Sequence, residues 1–178
     1  MNIRIYVANL AAYNSGMLVG EWFDLPMDID DLMDGIAEVC GGRNEHGNIR
    51  YEWAIHDYEA PFKVNEHDSV ERINDWAELL DGANEDDSVI ETILNNESDI
   101  EAGIGIVMND EYRVYWDCED MEDVAYAYIE ETGLLSNIPD NIANYFDYEK
   151  FGRDMEIEGT FLRGRTDDYK YFHVEIIN

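Results

Sequence analysis

The chain has 178 residues, and its 42 Asp and Glu against 11 Lys and Arg give a formal net charge of −31. Because 46% of the residues are hydrophobic and 12% are aromatic, we expect a folded protein and exclude a disordered acidic tail, which is poor in aromatic residues. The charge also excludes nucleic acid and anionic membranes as partners, since their binders need clustered Lys and Arg. It favours a basic partner, such as a surface built to hold DNA.

Three strands are predicted in the first third of the chain, where apolar and polar residues alternate. They lie at residues 3–7, around residues 18–22 and at residues 49–55. Residues 13–16, Tyr-Asn-Ser-Gly, predict a hairpin turn between the first two strands. We therefore expect a small antiparallel sheet in this part of the chain.

A helix is predicted between the second and third strands. Apolar residues at helical spacing run from residue 26 to residue 40. Asp28 is a suitable N-cap, and Gly41-Gly42 is a suitable end. Strands and helix together predict an α+β module in the first third of the chain.

The middle of the chain is predicted to be mostly helical. Apolar spacing and terminal residues indicate helices over residues 69–82 and 87–95. Apolar residues then alternate over residues 104–108 and again over residues 112–116. With Asn109-Asp110 between them, these two runs predict a β-hairpin.

The C-terminal part is predicted to contain helices followed by strands. The clearest helical pattern of the chain covers residues 121–133. One or two further helices are expected around residues 140–155. Closing strands are expected at residues 160–163 and 171–177.

Carboxylates occupy the open faces of the predicted helices. There is no Lys or Arg between Arg4 and Arg43, where 7 acids lie, between Arg72 and Arg113, where 12 lie, or over residues 114–149, where 10 lie. Like charges at i and i+4 destabilise a helix by about 0.2–0.5 kcal/mol per pair, and no Lys relieves them here. The candidate partner-binding acids are Asp30, Asp31, Asp34, Glu38, Glu71, Asp75, Glu78, Asp86, Asp87, Glu91, Glu119, Asp120, Glu122, Asp123, Glu130 and Glu131.

The acids could also be present for two reasons unrelated to a partner. A run of charges is commonly just the solvated face of a helix. Adaptation to high salt also produces acid-rich, Lys-poor proteins, but it predicts an even spread. Residues 150–178 instead contain 5 bases and 6 acids and are nearly neutral, so we expect packing or self-association to be their task.

Motifs for catalysis and for metal binding are absent from the sequence. It has no GxxxxGK[ST] phosphate loop and no HExxH, and its four histidines share no ligand spacing. Paired carboxylates of the kind used by glycosidases mean little in a chain with 42 acids. We therefore expect no catalytic residue, no metal and no cofactor, and retain a carboxylate-dependent hydrolase as the less favoured alternative.

The two cysteines and the N-terminus indicate a cytoplasmic protein. Cys40 and Cys118 are far apart and form no CxxC, which is typical of buried thiols in a reducing compartment. The N-terminal residues lack the features of a signal peptide. The longest uncharged stretch, residues 5–20, is too short and too polar to span a bilayer.

Short blocks spread along the chain carry a family resemblance. They are IYVANL (residues 5–10), LVGEW (18–22), AIHDYE (54–59), DCEDM (117–121), YIEETG (128–133), YFDYE (145–149), GRD (152–154) and GTF (159–161). Together these blocks resemble the ArdA antirestriction proteins, and the last three are similar to the antirestriction motif of that family.

The resemblance implies a function and a fold. ArdA proteins are carried on mobile elements and inhibit Type I restriction–modification enzymes as DNA mimics, with carboxylates standing where duplex DNA has phosphates. The implied α+β fold is an elongated chain of small modules with acidic helices on the surface. On this sequence the modules would be residues 1–68 (antiparallel sheet plus helix), 69–103 (helical) and 104–178 (α/β, with the dimer contact).

The resemblance also implies roles and partners. The sixteen candidate acids would mimic phosphates, and the partners would be a Type I enzyme and a second copy of the chain, with no nucleic acid and no membrane. The family's dimer contact is expected at Tyr145, Phe146, Tyr148 and Phe151. Aromatic residues at such spacing are more often core than interface, and that alternative stays open. A mimic aimed at another DNA-binding protein would have the same charge pattern.

Overall fold

The computed structural model describes residues 1–177. Within that range the chain forms eight α-helices and two three-stranded antiparallel sheets, which confirms the predicted α+β class. The chain divides into two compact units, Met1–Asn84 and Glu85–Asn178. The division into three modules, with boundaries after residues 68 and 103, stays a prediction.

The first unit is built on a sheet of three strands. These are β1 (Ile3–Asn9), β2 (Gly20–Leu25) and β3 (Trp53–Glu59), in the order β2-β1-β3. Ile5 and Val7 of the central strand β1 are fully buried, because alternate residues of a strand point to the same face. The alternation seen in the sequence therefore reports this buried face.

Two details of the predicted sheet were wrong. β1 and β2 pair antiparallel, and a turn is present at residues 13–16, where Gly16 N donates to Tyr13 O over 2.9 Å. The connection is longer than a simple hairpin turn, however, because it starts with a short helix, α1 (Leu10–Asn14). The helix forms there because the Asn9 side chain accepts a hydrogen bond from Ala12 N and so caps it. The third strand begins at Trp53 and not at residue 49.

Helix α2 (Ile29–Val39) lies between β2 and β3, as predicted. The Asp28 side chain caps it by accepting hydrogen bonds from the backbone N–H groups of its first turn. Gly41, just after the helix, has a φ of 78°, a conformation that glycine adopts without strain. Leu32 and Ile36 are fully buried and form the apolar face of α2 that packs on the sheet.

Helix α3 (Val70–Asp81) completes the first unit, with Ser69 as its N-cap. Its buried residue Asn74 exchanges two hydrogen bonds with the backbone of Met27: Met27 N donates to Asn74 Oδ1 over 2.9 Å, and Asn74 Nδ2 donates to Met27 O over 3.0 Å. These bonds attach α3 to the segment that leads into α2.

The second unit begins with α4 (Asp87–Asn96), α5 (Ile100–Met108) and β4 (Tyr112–Trp116). The predicted hairpin was therefore wrong in its first half, since residues 104–108 are helical. One reason is the cap: the Asp99 side chain accepts a hydrogen bond from the first turn of α5.

Packing between α4 and α5 supplies the second reason for this helix. Gly103 is buried, and a Cβ at this position would lie 2.9 Å from Cδ2 of Leu94 in α4. Ile104 and Val107 are buried beside it on the same side of α5. A local period of two cannot reveal this contact, because the partner residue lies on another helix.

The remaining elements follow the predicted order. They are α6 (Met121–Thr132), α7 (Asp140–Ala143), α8 (Tyr148–Glu158), β5 (Thr160–Arg165) and β6 (Tyr171–Ile176). The second sheet has the order β4-β6-β5, so the last strand of the chain is its central strand.

Helices α6 and α8 pack against each other at Gly152. Gly152 is buried, and a Cβ at this position would overlap the carbonyl group of Met121. Only glycine lets the two backbones approach this closely. The glycine of the GRD block is thus required by helix packing.

We expect Gly152→Ala to lower the free energy of unfolding by about 1–3 kcal/mol, the usual cost of overpacking a close contact. Urea unfolding monitored by circular dichroism measures the change. The matched control is Gly105→Ala in α5, where a Cβ meets open space, and we expect it to stabilise the protein by about 0.5–1 kcal/mol. Wild-type stability in Gly152→Ala would contradict the close approach.

Candidate partner-binding carboxylates

The first candidate acids lie on α2. Asp30, Asp31, Asp34 and Glu38 are all exposed, whereas the buried residues of this helix are apolar. Asp34 Oδ1 lies 2.7 Å from Nη2 of Arg43, so one of the four charges is partly neutralised within the chain. The pair is weak, because the Asp34 side chain is 70% exposed and solvent screens it.

The acids of α3 meet the start of α2. Glu71, Asp75 and Glu78 are exposed. Ser69 Oγ donates a hydrogen bond to Glu71 Oε2 over 2.6 Å, which lowers the pKa of Glu71 and favours its ionised form. Asp75 and Glu78 line an open groove of about 470 Å³ together with Asp28, so the fold brings carboxylates of two helices together.

The acids of α4 form a second cluster. Asp86, Asp87 and Glu91 are exposed, and Asp86 caps the helix. Asp86 and Asp87 line an open groove of about 470 Å³ with Asp167 and Asp168 from the loop between β5 and β6. Sequence reasoning missed the last two acids, because it treated the C-terminal segment as nearly neutral.

The start of α6 has the densest group of candidates. Glu119, Asp120, Glu122 and Asp123 are all exposed. Asp120 Oδ1 accepts hydrogen bonds from the backbone N–H groups of Glu122 and Asp123, and Asp123 Oδ2 accepts one from Glu119 N. These backbone donors hold two of the four carboxylates in fixed positions.

All sixteen candidate acids are exposed, and nine of them lie at or near a helix N-terminus. A negative charge there is favourable by about 0.3–1 kcal/mol, since the helix dipole places partial positive charge at that end. Glu38, Glu130 and Glu131 lie near the other end of a helix and lack this support. Helix N-termini therefore offset part of the repulsion that the sequence predicts.

The four aromatic candidates for the dimer contact occupy two environments. The Phe146 ring lies 5.0 Å from the Tyr148 ring and 5.5 Å from the Phe151 ring, and Phe151 also contacts Tyr128 of α6 at 6.1 Å. Tyr145, in contrast, is 88% exposed. Three of the residues thus take part in the packing around α8, whereas the side chain of Tyr145 is exposed and can contact a partner. Their role in a dimer stays a prediction.

The shifted pKa values do not resemble those of a catalytic site. Burial raises the pKa of Tyr112 and Tyr115 to about 12 and that of the Cys118 thiol to about 11, so these groups stay protonated at neutral pH. Hydrogen bonds lower the pKa of Glu71 and of Asp168. A general acid at neutral pH needs a carboxyl pKa that is raised.

Metal-binding geometry is also lacking in the described residues. Residues 1–177 contain no group of three or more His, Cys, Asp or Glu that could hold a metal ion. Burial lowers the pKa of His173, whose Nδ1 lies 3.1 Å from the carbonyl oxygen of Cys118, and this fits a neutral core histidine. None of the helices described is long and apolar enough to cross a membrane.

Two exposed apolar surfaces were missed by the sequence reasoning, except for Tyr145 in the second. We call Met17, Leu18 and Val19 the apolar tip, and these residues are 58%, 72% and 41% exposed. Sequence reasoning assigned part of this run to a strand. The available signal was three consecutive apolar residues, which breaks the alternation of a half-buried strand.

The second of these surfaces surrounds α7, and we call it the α7 surface. Its residues are between 41% and 88% exposed, and all lie in the connection between α6 and α8. They are Leu134, Ile138, Ile142 and Tyr145. Exposed apolar residues concentrated in one segment make that segment a candidate contact site.

Comparison with known proteins identifies a family. A family model described as antirestriction protein (ArdA) matches residues 5–167 of the chain. This range contains all sixteen candidate acids and the four aromatic candidates. No curated protein matches the chain.

We expect Asp120→Ala to lower the free energy of unfolding by about 1 kcal/mol, because the first turn of α6 loses its cap. Urea unfolding measures the difference. Glu130→Ala removes an exposed charge from the same helix without removing a cap, and it should change the stability by less than about 0.5 kcal/mol. Equal effects of the two substitutions would show that the cap contributes nothing.

Proposed function

Because the chain belongs to the ArdA family of antirestriction proteins, we propose that it mimics duplex DNA and occupies the DNA-binding groove of Type I restriction–modification enzymes. The family supports a partner related to restriction enzymes in general. The observation that carries the finer proposal is the exposure of all sixteen candidate acids, fifteen of which lie in the three base-free stretches of sequence.

The density of charge on one helix supports mimicry. The four acids from Asp30 to Glu38 cover about 12 Å of helix axis at about 1.5 Å per residue, or about 3–4 Å per charge. One strand of duplex DNA has one charge per about 3.4 Å. The net charge of −31 equals that of about 53 Å of duplex. A groove that neutralises DNA phosphates finds a similar density of carboxylates here.

The mechanism follows from the chemistry of carboxylates. Each one accepts charge-assisted hydrogen bonds from Arg or Lys of the enzyme, as a phosphate does. The helices hold the carboxylates in place, so the bending energy that a duplex can incur, several kcal/mol for a strongly bent site, does not arise. No base sequence is read, so inhibition is broad. Salt weakens it, since exposed charges are screened.

The inhibitor acts by binding and has no catalytic residue of its own. We propose that the protein acts in the cytoplasm. Its gene would be carried on a mobile genetic element, whose DNA the protein protects. A mimic directed at another DNA-binding protein is the second candidate, because the charge pattern fits any groove of similar shape.

We further propose a homodimer in which the α7 surface forms part of the contact. The exposure of Tyr145 and of its apolar neighbours supports this surface over the half-buried ring cluster of Phe146, Tyr148 and Phe151. The α7 surface itself lies in the base-free stretch 114–149, but it precedes the nearly neutral residues 150–178 in the chain, and a contact that extends onto those residues brings fewer like charges together.

Replacing Asp30, Asp31 and Glu38 by Asn, Asn and Gln should weaken the displacement of labelled duplex from a Type I enzyme by about tenfold at low salt. Each exposed charge pair contributes about 0.2–1 kcal/mol, and the losses accumulate. The measurement is a competition titration at two salt concentrations. At high salt the difference from wild type should shrink.

The matched control neutralises three exposed acids outside the candidate set, Glu45, Glu156 and Glu158, and should weaken displacement less than threefold. A graded loss over successive substitutions fits the mimic, whereas loss of all activity after one Asp→Asn change would favour an enzyme. Failure of the wild-type protein to displace duplex at low salt would exclude the Type I target. Displacement from another DNA-binding protein would then support the second candidate.

For the dimer, we expect Tyr145→Asp to give monomers by sedimentation and an unchanged circular dichroism spectrum, since its side chain is exposed. Tyr169→Asp is the matched control in the same unit: Tyr169 is 70% exposed, and the variant should remain dimeric. Phe151→Asp is a poorer test, because this ring contacts Phe146 and Tyr128 and its loss disturbs packing. A dimeric Tyr145→Asp variant would place the contact elsewhere.

A further inference from the structure

The apolar tip is the most exposed run of apolar residues in the first unit. Leu18 is 72% exposed, with Met17 at 58% and Val19 at 41%. Tyr13, 54% exposed, lies on the neighbouring helix α1 and contacts the His56 ring edge-on at 4.9 Å. Apolar side chains in such an arrangement are typical of an interaction site.

The backbone holds the tip in one conformation. Met17 N donates to the carbonyl oxygen of Ala12 over 3.0 Å, and Asn9 N donates to that of Val19 over 2.9 Å. The buried Asn9 side chain in turn donates to the carbonyl oxygen of Val39 over 3.0 Å. The tip is therefore attached to the sheet and to the end of α2, and little ordering entropy is lost when a partner binds it.

The surroundings of the tip are acidic. Exposed Glu21 lies two residues after Val19, in β2. Exposed Glu52 accepts a hydrogen bond from Leu10 N, at the start of α1, through its backbone carbonyl. The sequence contains no Lys or Arg between Arg4 and Arg43. A partner complementary to this region has an apolar depression surrounded by basic residues.

We propose that the apolar tip inserts into an apolar depression within the basic DNA-binding surface of the enzyme that this protein inhibits. The inference rests on the proposed function and adds to it a contact that phosphates cannot make. Carboxylates compete with DNA through charge alone, and every DNA-binding groove offers that charge. The apolar contact lets the inhibitor distinguish its target from other basic grooves, and salt does not screen it.

The test compares two substitutions at the centre of the tip in the duplex-displacement assay with a Type I enzyme. Leu18→Ser should weaken inhibition by about tenfold, or about 1.4 kcal/mol, because it removes the apolar side chain from the contact. The factor should be the same at low and high salt, because an apolar contact is not screened. Leu18→Asp should weaken inhibition as well, although it adds a negative charge. An inhibitor that works by charge alone would be improved by that substitution.

Leu79→Asp is the matched control, since Leu79 is an exposed leucine of α3 in the same unit. It should inhibit at least as well as wild type. Inhibition by Leu18→Asp equal to or better than wild type overturns the inference and leaves the proposed function standing. If Leu18→Asp sediments with a smaller mass than the wild-type protein, the inference is also overturned, because the tip would then be a contact between two copies of the chain. A wild-type protein that displaces no duplex removes both proposals.

Discussion

Helix N-termini supply positive charge that the side chains of this protein lack. Aspartate caps many of the helices, and the last turns of all eight helices in residues 1–177 contain no basic residue. Backbone N–H groups at the start of every helix but α1 therefore lie near carboxylates and stabilise them. The capping aspartates are Asp28, Asp86, Asp99, Asp120 and Asp147.

This constraint connects stability to the proposed function. A carboxylate held by backbone donors has a defined position, as in the group at the start of α6. The small cores beneath the helices keep those positions fixed. The buried side chains of Leu32 and Ile36 anchor α2, and that of Val124 anchors α6. A rigid array of charges binds a basic groove without first losing side-chain freedom, which is why helices suit a mimic of a stiff polymer.

Charge and apolar contact have separate roles in the proposed inhibitor. Carboxylates provide attraction to any basic groove, and this attraction depends on salt. Exposed apolar residues at the apolar tip and at the α7 surface provide contacts that depend on shape. The acidic helices would thus attract the protein to basic grooves. The apolar tip would make binding specific for the target, and the α7 surface would bind the second copy of the chain.

The sequence by itself determined the family, the charge and the helices with strong local signals. α2, α3 and α6 each combine a capping residue with apolar residues at helical spacing, and both signals are local. The exposure of the candidate acids followed as well, since charged residues opposite an apolar stripe face water. Tertiary structure decided the rest, because it depends on contacts between separate elements that local sequence patterns do not reveal. It made residues 104–108 helical by packing Gly103 on Leu94, moved the start of β3 to Trp53, and divided the aromatic candidates between ring packing and exposed surface.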